Sequence, residues 1–390
     1  MIFSGKNILI AYSVIAVLLF LYSFTQVDLG LTLTQASWWQ VLQTSFQYVG
    51  YFNRPLSAVL YVALILVMFV LYGLLFWRAC QKKLEKKHVW ISLLVTGGVL
   101  LFSYSAFSYD IFNYIFDAKI VTYYNLNPYV YKALDFPNDP MLSFMHWTHR
   151  VYPYGPIWLA VTVPLSFLGF TFFLPTYFLF KALGVASYLG SVYYISKISK
   201  KIFPQSEISN MAFFAFNPLV IIESLVSAHN DIFMLFLALW SFSMLLEKKK
   251  MFAFVLILFS IGIKFATLFL FPVLLIISFW QKKGKNISWD LVVLFITLCM
   301  SIAVVLASIR TNFQPWYLLL VLPFACLLSK KYYVVIPVFC ISFFALLSYA
   351  PFLYMGNWDP PIPSLLSVFW MSSVMISTVA VFLYKHVKKV

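Results

Sequence analysis

Two carboxylates, Asp110 and Asp117, sit in the segment Ser108–Tyr129 (SYDIFNYIFDAKIVTYYNLNPY), directly after an apolar run over 89–107 long enough to cross a bilayer. Neither has a basic residue three or four positions away. A carboxylate free of such a partner at a water–lipid boundary can accept a proton from a hydroxyl. Other groups farther along complement that chemistry: the triplet His229-Asn230-Asp231, a lone Lys264, a lone Arg310, and Gln314-Pro-Trp-Tyr317. Lys264 and Arg310, each a solitary cation at a span end, either mark a functional cavity or snorkel to the interface, and Trp316 and Tyr317 could be anchors in the interface belt. His146-Trp-Thr-His149 has a metal-binding spacing if helical, but without a third ligand no metal site is expected.

The elements that must position these groups are membrane helices. At 63% hydrophobic and 10% charged residues, with a mean hydropathy of +0.91, the 390-residue chain does not describe a water-soluble globule. The net charge of +15 falls in bursts between apolar runs, at 78–87, 197–201, 248–250, 282–285, 330–331 and 385–389. That is the positive-inside pattern and not a nucleic-acid surface. With those bursts cytoplasmic, spans are expected near 8–24, 55–77, 89–107, 176–196, 208–226, 231–247, 251–263, 265–280, 287–310, 316–329, 332–350 and 365–384, with both termini cytoplasmic. The run at 8–24 has no small-residue cleavage site and reads as a retained span. The segment 156–174 breaks the parity and is expected to re-enter, not cross. Cys80, Cys299, Cys326 and Cys340 lack C-x-x-C spacing and imply neither a disulfide framework nor a metal site.

The expected fold is thus an all-α polytopic membrane protein of about 12–13 transmembrane or re-entrant helices. It forms one domain over 1–390, with its motif-bearing core at 89–330 and an outer loop at 108–155. On this topology Asp28, Arg54, Asp110, Asp117, Asp135, Asp139, His146, His149, Arg150, Asp231, Lys264, Arg310 and Asp359 gather on the non-cytoplasmic side. Isolated charges at span ends mark a functional cavity by default.

Within the outer loop, 109–123 has the period of an interfacial helix. Asp110, Asn113, Tyr114 and Asp117 share one face and Ile111, Phe112, Ile115 and Phe116 cover the other. Asn127-Pro128 ends it. Asp110 could be only an N-terminal cap, and Asp117 only a solvated acid. Tyr152-Pro-Tyr-Gly-Pro156, with Tyr154 at its centre, is a rigid turn into the re-entrant segment. Asn217-Pro218 breaks the next span, which ends in the His229-Asn230-Asp231 junction.

Taken in order, S-x-D-x-F-x-Y…NPY, YGP, NPL…HND, GIKFATLFLFP and Gln314-Pro-Trp-Tyr317 resemble the polyprenol-phosphate-mannose-dependent alpha-1,6-mannosyltransferases of the GT-C superfamily. The likeness runs from about residue 100 to about residue 330, and it departs at Tyr109, where the family commonly has arginine. The resemblance implies a GT-C-type bundle that moves a hexose, mannose in this family, from a polyprenyl-phosphate sugar to a glycan or glycolipid acceptor. Transfer would take place at the outer face of the cell membrane, with inversion. Asp110 would be the general base. Asn113, Asp117, Tyr154, His229, Asn230, Asp231, Lys264, Arg310, Trp316 and Tyr317 would line the substrates. Membrane lipids are expected partners and nucleic acid is not. No cofactor is expected, and divalent-metal dependence is left open. The competing class is a lipid-linked oligosaccharide flippase or transporter. Such proteins commonly carry inverted repeats and midplane polar sites; here no repeat is evident and the acids favour one face.

Overall fold

The computed structural model describes residues 4–387, so Lys388 and Lys389 of the last basic burst lie outside the described residues. The chain is helical, with no strand among the described residues. The helices in chain order are α1 Gly5–Ser23, α2 Ser37–Gln47, α3 Arg54–Cys80, α4 Lys86–Leu100, α5 Asp110–Thr122 and α6 Pro156–Leu168. There follow α7 Phe173–Ile202, α8 Glu207–Ala215, α9 Pro218–Ile221, α10 Asp231–Leu246, α11 Lys250–Ile261 and α12 Phe271–Lys282. The last are α13 Trp289–Thr311, α14 Leu322–Ala325, α15 Tyr332–Leu347, α16 Tyr349–Met355 and α17 Ile362–Val387.

Among the described residues, seven helical segments are long and apolar enough to cross a membrane: Gly5–Gln26, Arg54–Cys80, Phe173–Ile202, Phe265–Lys282, Trp289–Thr311, Tyr332–Met355 and Ile362–Val387. The pair Pro204–Ala215 and Pro218–Val226 is apolar and long enough only when taken together, and it bends by 57° at its break. Pro156–Leu168, Asp231–Leu246, Lys250–Ile261 and Pro315–Leu328 are shorter apolar helices, of which Asp231–Leu246 is the most buried while Lys250–Ile261 keeps much of its surface exposed. The protein is therefore a polytopic all-α membrane protein. At 13 residues, α6 reaches only about 20 Å, short of a bilayer core of about 30 Å.

Two expectations need adjustment. The run at 89–107 is not helical throughout: α4 ends at Leu100, and 101–109 form turns. The Ser103 and Ser105 hydroxyls bond backbone carbonyls there, at Leu100 and Ser108 respectively, which favours turns over helix. Helix α5 forms as expected, yet it is enclosed and not half-solvated. Ile111, Phe112, Tyr114, Ile115, Phe116, Asp117 and Ala118 are all buried. The outer loop folds over it: Asp139 pairs with Lys119 at 2.5 Å and accepts from Tyr124 Oη at 2.7 Å, and Phe144 packs on Phe112.

The break between α8 and α9 is stabilised from three sides. Asn217 Oδ1 accepts from the Leu219 amide (2.9 Å), and Pro218 opens the next turn. The carbonyls freed at the bend accept from tyrosine hydroxyls of three different helices. Tyr12 of α1 donates to Phe216 (2.7 Å), Tyr72 of α3 to Phe213 (2.8 Å) and Tyr188 of α7 to Ala215 (2.7 Å). Backbone without water must find such partners at membrane depth. After the bend the chain runs through α9 into a π-turn, Ile222–Val226, a local widening that is frequent at functional sites.

Candidate active site

Three chain segments converge at the end of that π-turn. The first carries Asp110, the first residue of α5. Its amide is bonded to Ser108 Oγ (3.2 Å), while its carboxylate caps nothing and turns inward, 3.3 Å from Tyr114 Oη one helical turn on. The simple capping reading of Asp110 is therefore set aside: Tyr109 precedes the helix without a side-chain cap. The second segment is the turn 227–230. Ala228 there has φ of +53°, a left-handed conformation costly for a residue with a Cβ. It delivers His229, which is fully buried.

His229 lies between two carboxylates. Its Nδ1 is 3.5 Å from Asp110 Oδ2 and its Nε2 is 3.3 Å from Glu223 Oε2, ion-pair distances longer than tight hydrogen bonds. Glu223, inside the π-turn and 0% exposed, accepts from Tyr349 Oη of α16 at 2.9 Å. The third segment supplies Trp316, whose ring stacks on the imidazole at a centroid separation of 4.3 Å.

Lys264 arrives by a different device. The amide of Gly155 donates to Ile263 O (2.9 Å) and that of Ile157 to Gly262 O (3.0 Å), so the YGP and GIK turns dock backbone to backbone. A Cβ on Gly155 would lie 2.2 Å from Gly262 O, which is why glycine is needed there. The docking places Lys264 Nζ 5.3 Å from the Tyr154 ring centroid and 2.7 Å from Asp231 Oδ2. Tyr154 in turn packs edge-on against Tyr114 (5.2 Å), closing the circuit to Asp110.

The electrostatics follow from this arrangement. Burial alone would raise the Asp110 carboxyl; contact with His229, its charge and that of Lys264, and the Tyr114 hydroxyl outweigh burial and hold it below its ordinary value. Burial would lower the His229 imidazole, but Asp110 and Glu223 overcome that and push it up to about 9. Asp117, by contrast, is raised well above the ordinary carboxylate value, by burial first and by the Asp110 charge second. One helix thus carries one acid held below and one held above the ordinary carboxylate value, two turns apart, and Asp117 is buried and not a solvated surface acid.

Of the residues expected at the site, Asp110, Tyr154, His229, Asp231, Lys264 and Trp316 meet here. Asn113 shares the helix face, half-buried, and its Oδ1 has no hydrogen-bond partner among the described residues. Asn230 is buried beside His229 with both amide atoms unpartnered in the same sense. Buried polar atoms of that kind call for a polar ligand. Tyr317 packs on Trp316 and shares a hydrogen bond with Thr311 (2.5 Å). Arg310 stands apart, exposed at the end of α13 and with no ion pair among the described residues. His146 and His149 lie in turns, not on a helix, and His146 stacks on Tyr109 at 3.7 Å.

A family model described as alpha-(1->6)-mannopyranosyltransferase, N-terminal domain, matches residues 14–280, a stretch that contains every charged member of this cluster. The chain belongs to the alpha-(1->6)-mannopyranosyltransferase family. It is thus a membrane-embedded mannosyltransferase. No curated protein and no solved structure matches the chain. The matched region ends before Trp316, which nonetheless closes over His229 from outside it.

Two residues essential to this geometry had not been singled out from the sequence. Glu223 lies in the NPL…HND run. Lys181, fully buried in α7, donates to Ser103 Oγ (2.9 Å), to Val226 O (2.9 Å) and to Leu225 O. It ties the turn before Asp110 to the turn before His229. A lone charge inside an apolar run was the available signal for both.

Proposed function

We propose that the protein transfers mannose from a polyprenyl-phosphate carrier to a sugar hydroxyl of a glycan or glycolipid, at the non-cytoplasmic face and with inversion, as a GT-C glycosyltransferase. The observation that carries this reading is the inward-turned Asp110 carboxylate, ionised beside His229 and Tyr114 and close to Lys264, in a member of a mannosyltransferase family.

In the proposed step the acceptor hydroxyl oxygen bonds to the anomeric carbon as the bond from that carbon to the phosphate oxygen breaks. The hydroxyl proton passes to Asp110, and the polyprenyl phosphate leaves with the electron pair. Lys264 meets the phosphate charge, with Asp231 holding the ammonium ready at 2.7 Å. Tyr154 and Trp316 offer ring faces to the sugars. The polyprenyl-phosphate sugar is a substrate, and no cofactor enters the step.

The test is transfer from radiolabelled polyprenyl-phosphate mannose to mannoside acceptors by purified protein in nanodiscs. Asp110→Asn keeps the shape and removes the proton acceptor, so turnover should fall by about 10²–10⁴-fold with protein level unchanged. Wild-type turnover in that variant would remove the base from the mechanism.

A further inference from the structure

An imidazole set between two carboxylates poses a counting problem. A neutral ring has one N–H and one bare nitrogen, so one carboxylate would face a lone pair. Only the imidazolium carries an N–H on each nitrogen, and each nitrogen lies within ion-pair distance of a carboxylate, though outside hydrogen-bond geometry, at 3.5 Å from Asp110 and 3.3 Å from Glu223. The ring is closed off from solvent, and the carboxylate on its far side, at 3.3 Å, belongs to a residue that is itself 0% exposed. A buried carboxylate is costly unless its charge is used, and one face of this one is already held by Tyr349 at 2.9 Å.

We infer that Glu223 is a positioning residue for the transfer reaction: its buried carboxylate keeps His229 as the imidazolium, whose Nδ1–H fixes the Asp110 carboxylate in its ionised, inward-turned orientation. The inference rests on Asp110 being the base. Glu223 reaches no substrate and acts through His229. The π-turn carries Glu223, and the His229 amide donates back to Glu223 O at 3.0 Å, which ties the two residues together. Gly184 of α7 lets the π-turn come close, since a Cβ there would lie 3.2 Å from Ser224 O.

The other charged and titratable groups around the pair are accounted for. From α7, Lys181 is spent on the Leu225 and Val226 carbonyls. From α10, Asp231 is spent on Lys264. From α3, the Tyr61 hydroxyl donates to Leu346 O at 2.7 Å. Trp316 covers the ring face and carries no charge.

The sign of the pH dependence follows. The ring's folded value lies above its ordinary 6.5, so the stability and alignment it contributes are complete below 6.5 and are lost as pH rises through about 9. Glu223 is one of the groups that raise the ring, so its replacement lowers that upper limit.

The experiment is a pH titration of the histidine ring nitrogens by solid-state NMR on ¹⁵N-histidine-labelled full-length protein in nanodiscs. The sequence has five histidines, and His229→Gln assigns the relevant signal by difference. The expected result is a ring protonated on both nitrogens at neutral pH that deprotonates at lower pH in Glu223→Gln. The alkaline limb of transfer should move in parallel, and Glu223→Asp should restore most of the shift. A His229 already neutral at pH 7, or the same titration in Glu223→Gln, would overturn the inference. Should Glu223→Gln not accumulate, Tyr349→Phe carries the test. The Glu223 carboxylate then loses the Tyr349 donor and becomes the stronger partner, so the titration should move upward, and an unmoved one refutes the inference. The Asp110→Asn transfer assay separately tests the base. If that variant is inactive and the limb is unmoved in Glu223→Gln, only the positioning role falls.

Discussion

Lys264 and Asp231 sit 2.7 Å apart at the adjoining ends of two packed helices, the residue after the α11 turn meeting the first residue of α10. The aspartate is nearly buried while the lysine keeps 23% of its side chain exposed, so the cation faces the open side. An ammonium held ready in this way can exchange one anionic partner for another when a phosphate arrives. Lys264→Met should therefore weaken binding of polyprenyl phosphate by about tenfold or more, the worth of a charged hydrogen bond. Arg310→Met, at an exposed and unpaired cation, should leave that affinity little changed. Binding of fluorescent polyprenyl phosphate to the two purified variants decides the matter, and equal losses would place Arg310 at the phosphate too.

Gly155→Ala tests how Lys264 is placed without touching it. The added methyl would lie 2.2 Å from Gly262 O and 3.3 Å from Ile263 O, so the two turns must part. The expected outcome is normal membrane insertion, a raised KM for the donor and a fall in transfer. Unchanged kinetics would show that the docking of the two turns does not set the lysine.

The charges at span ends and the helix break at Asn217-Pro218 were legible in sequence because each violates a strong local rule: lipid rejects lone ions, and proline removes a helical hydrogen bond. What satisfies them was not legible. Tyr12, Tyr72 and Tyr188 reach the bend from three helices, and nothing in their own surroundings marks them. Likewise the period of α5 shows which residues share a face, but enclosure of the helix depends on Phe136 and Phe144 folding back from the outer loop onto Phe116 and Phe112, and on Asp139 holding Tyr124. Glu223 and Lys181 carried the same lone-charge signal as Lys264. They stand within spans and not at their ends, and only the packing shows that both point toward one junction.

Asp117 is buried, and burial together with the Asp110 charge raises its carboxyl well above the ordinary value, which disfavours a negative charge there. Asp117→Asn keeps the shape and removes the titratable proton. Turnover should stay within a few fold of wild type, far milder than Asp110→Asn, when the two are assayed side by side. A loss as deep as that of Asp110→Asn would show that Asp117 titrates during the reaction.

Sidedness can be read with single cysteines in a background lacking the four native ones. Asn138 and Asn357 are exposed on the connections expected outside, Gln81 and Gly284 on those expected inside. Probes at the first two should react with impermeant reagents on intact cells and the others only after permeabilisation. The reverse pattern would move the Asp110 site to the cytoplasmic face.

Lys181 provides the most direct link between stability and activity in this chain. Its three N–H groups meet three acceptors, one on the turn leading to Asp110 and two on the turn leading to His229, so the ammonium is fully satisfied where it is fully buried. Lys181→Met fills the space and removes every donor, and each buried acceptor left alone costs about 1–3 kcal/mol. The two turns should then drift apart, lowering Tm and transfer together, and Lys181→Arg should not restore either because the planar guanidinium needs more room than the closed site has. Thermal unfolding and transfer measured on the same nanodisc preparations distinguish the outcomes. A lower Tm with unchanged turnover would reduce Lys181 to a packing element, whereas a matched loss in both would make it the tie that sets the distance between Asp110 and His229.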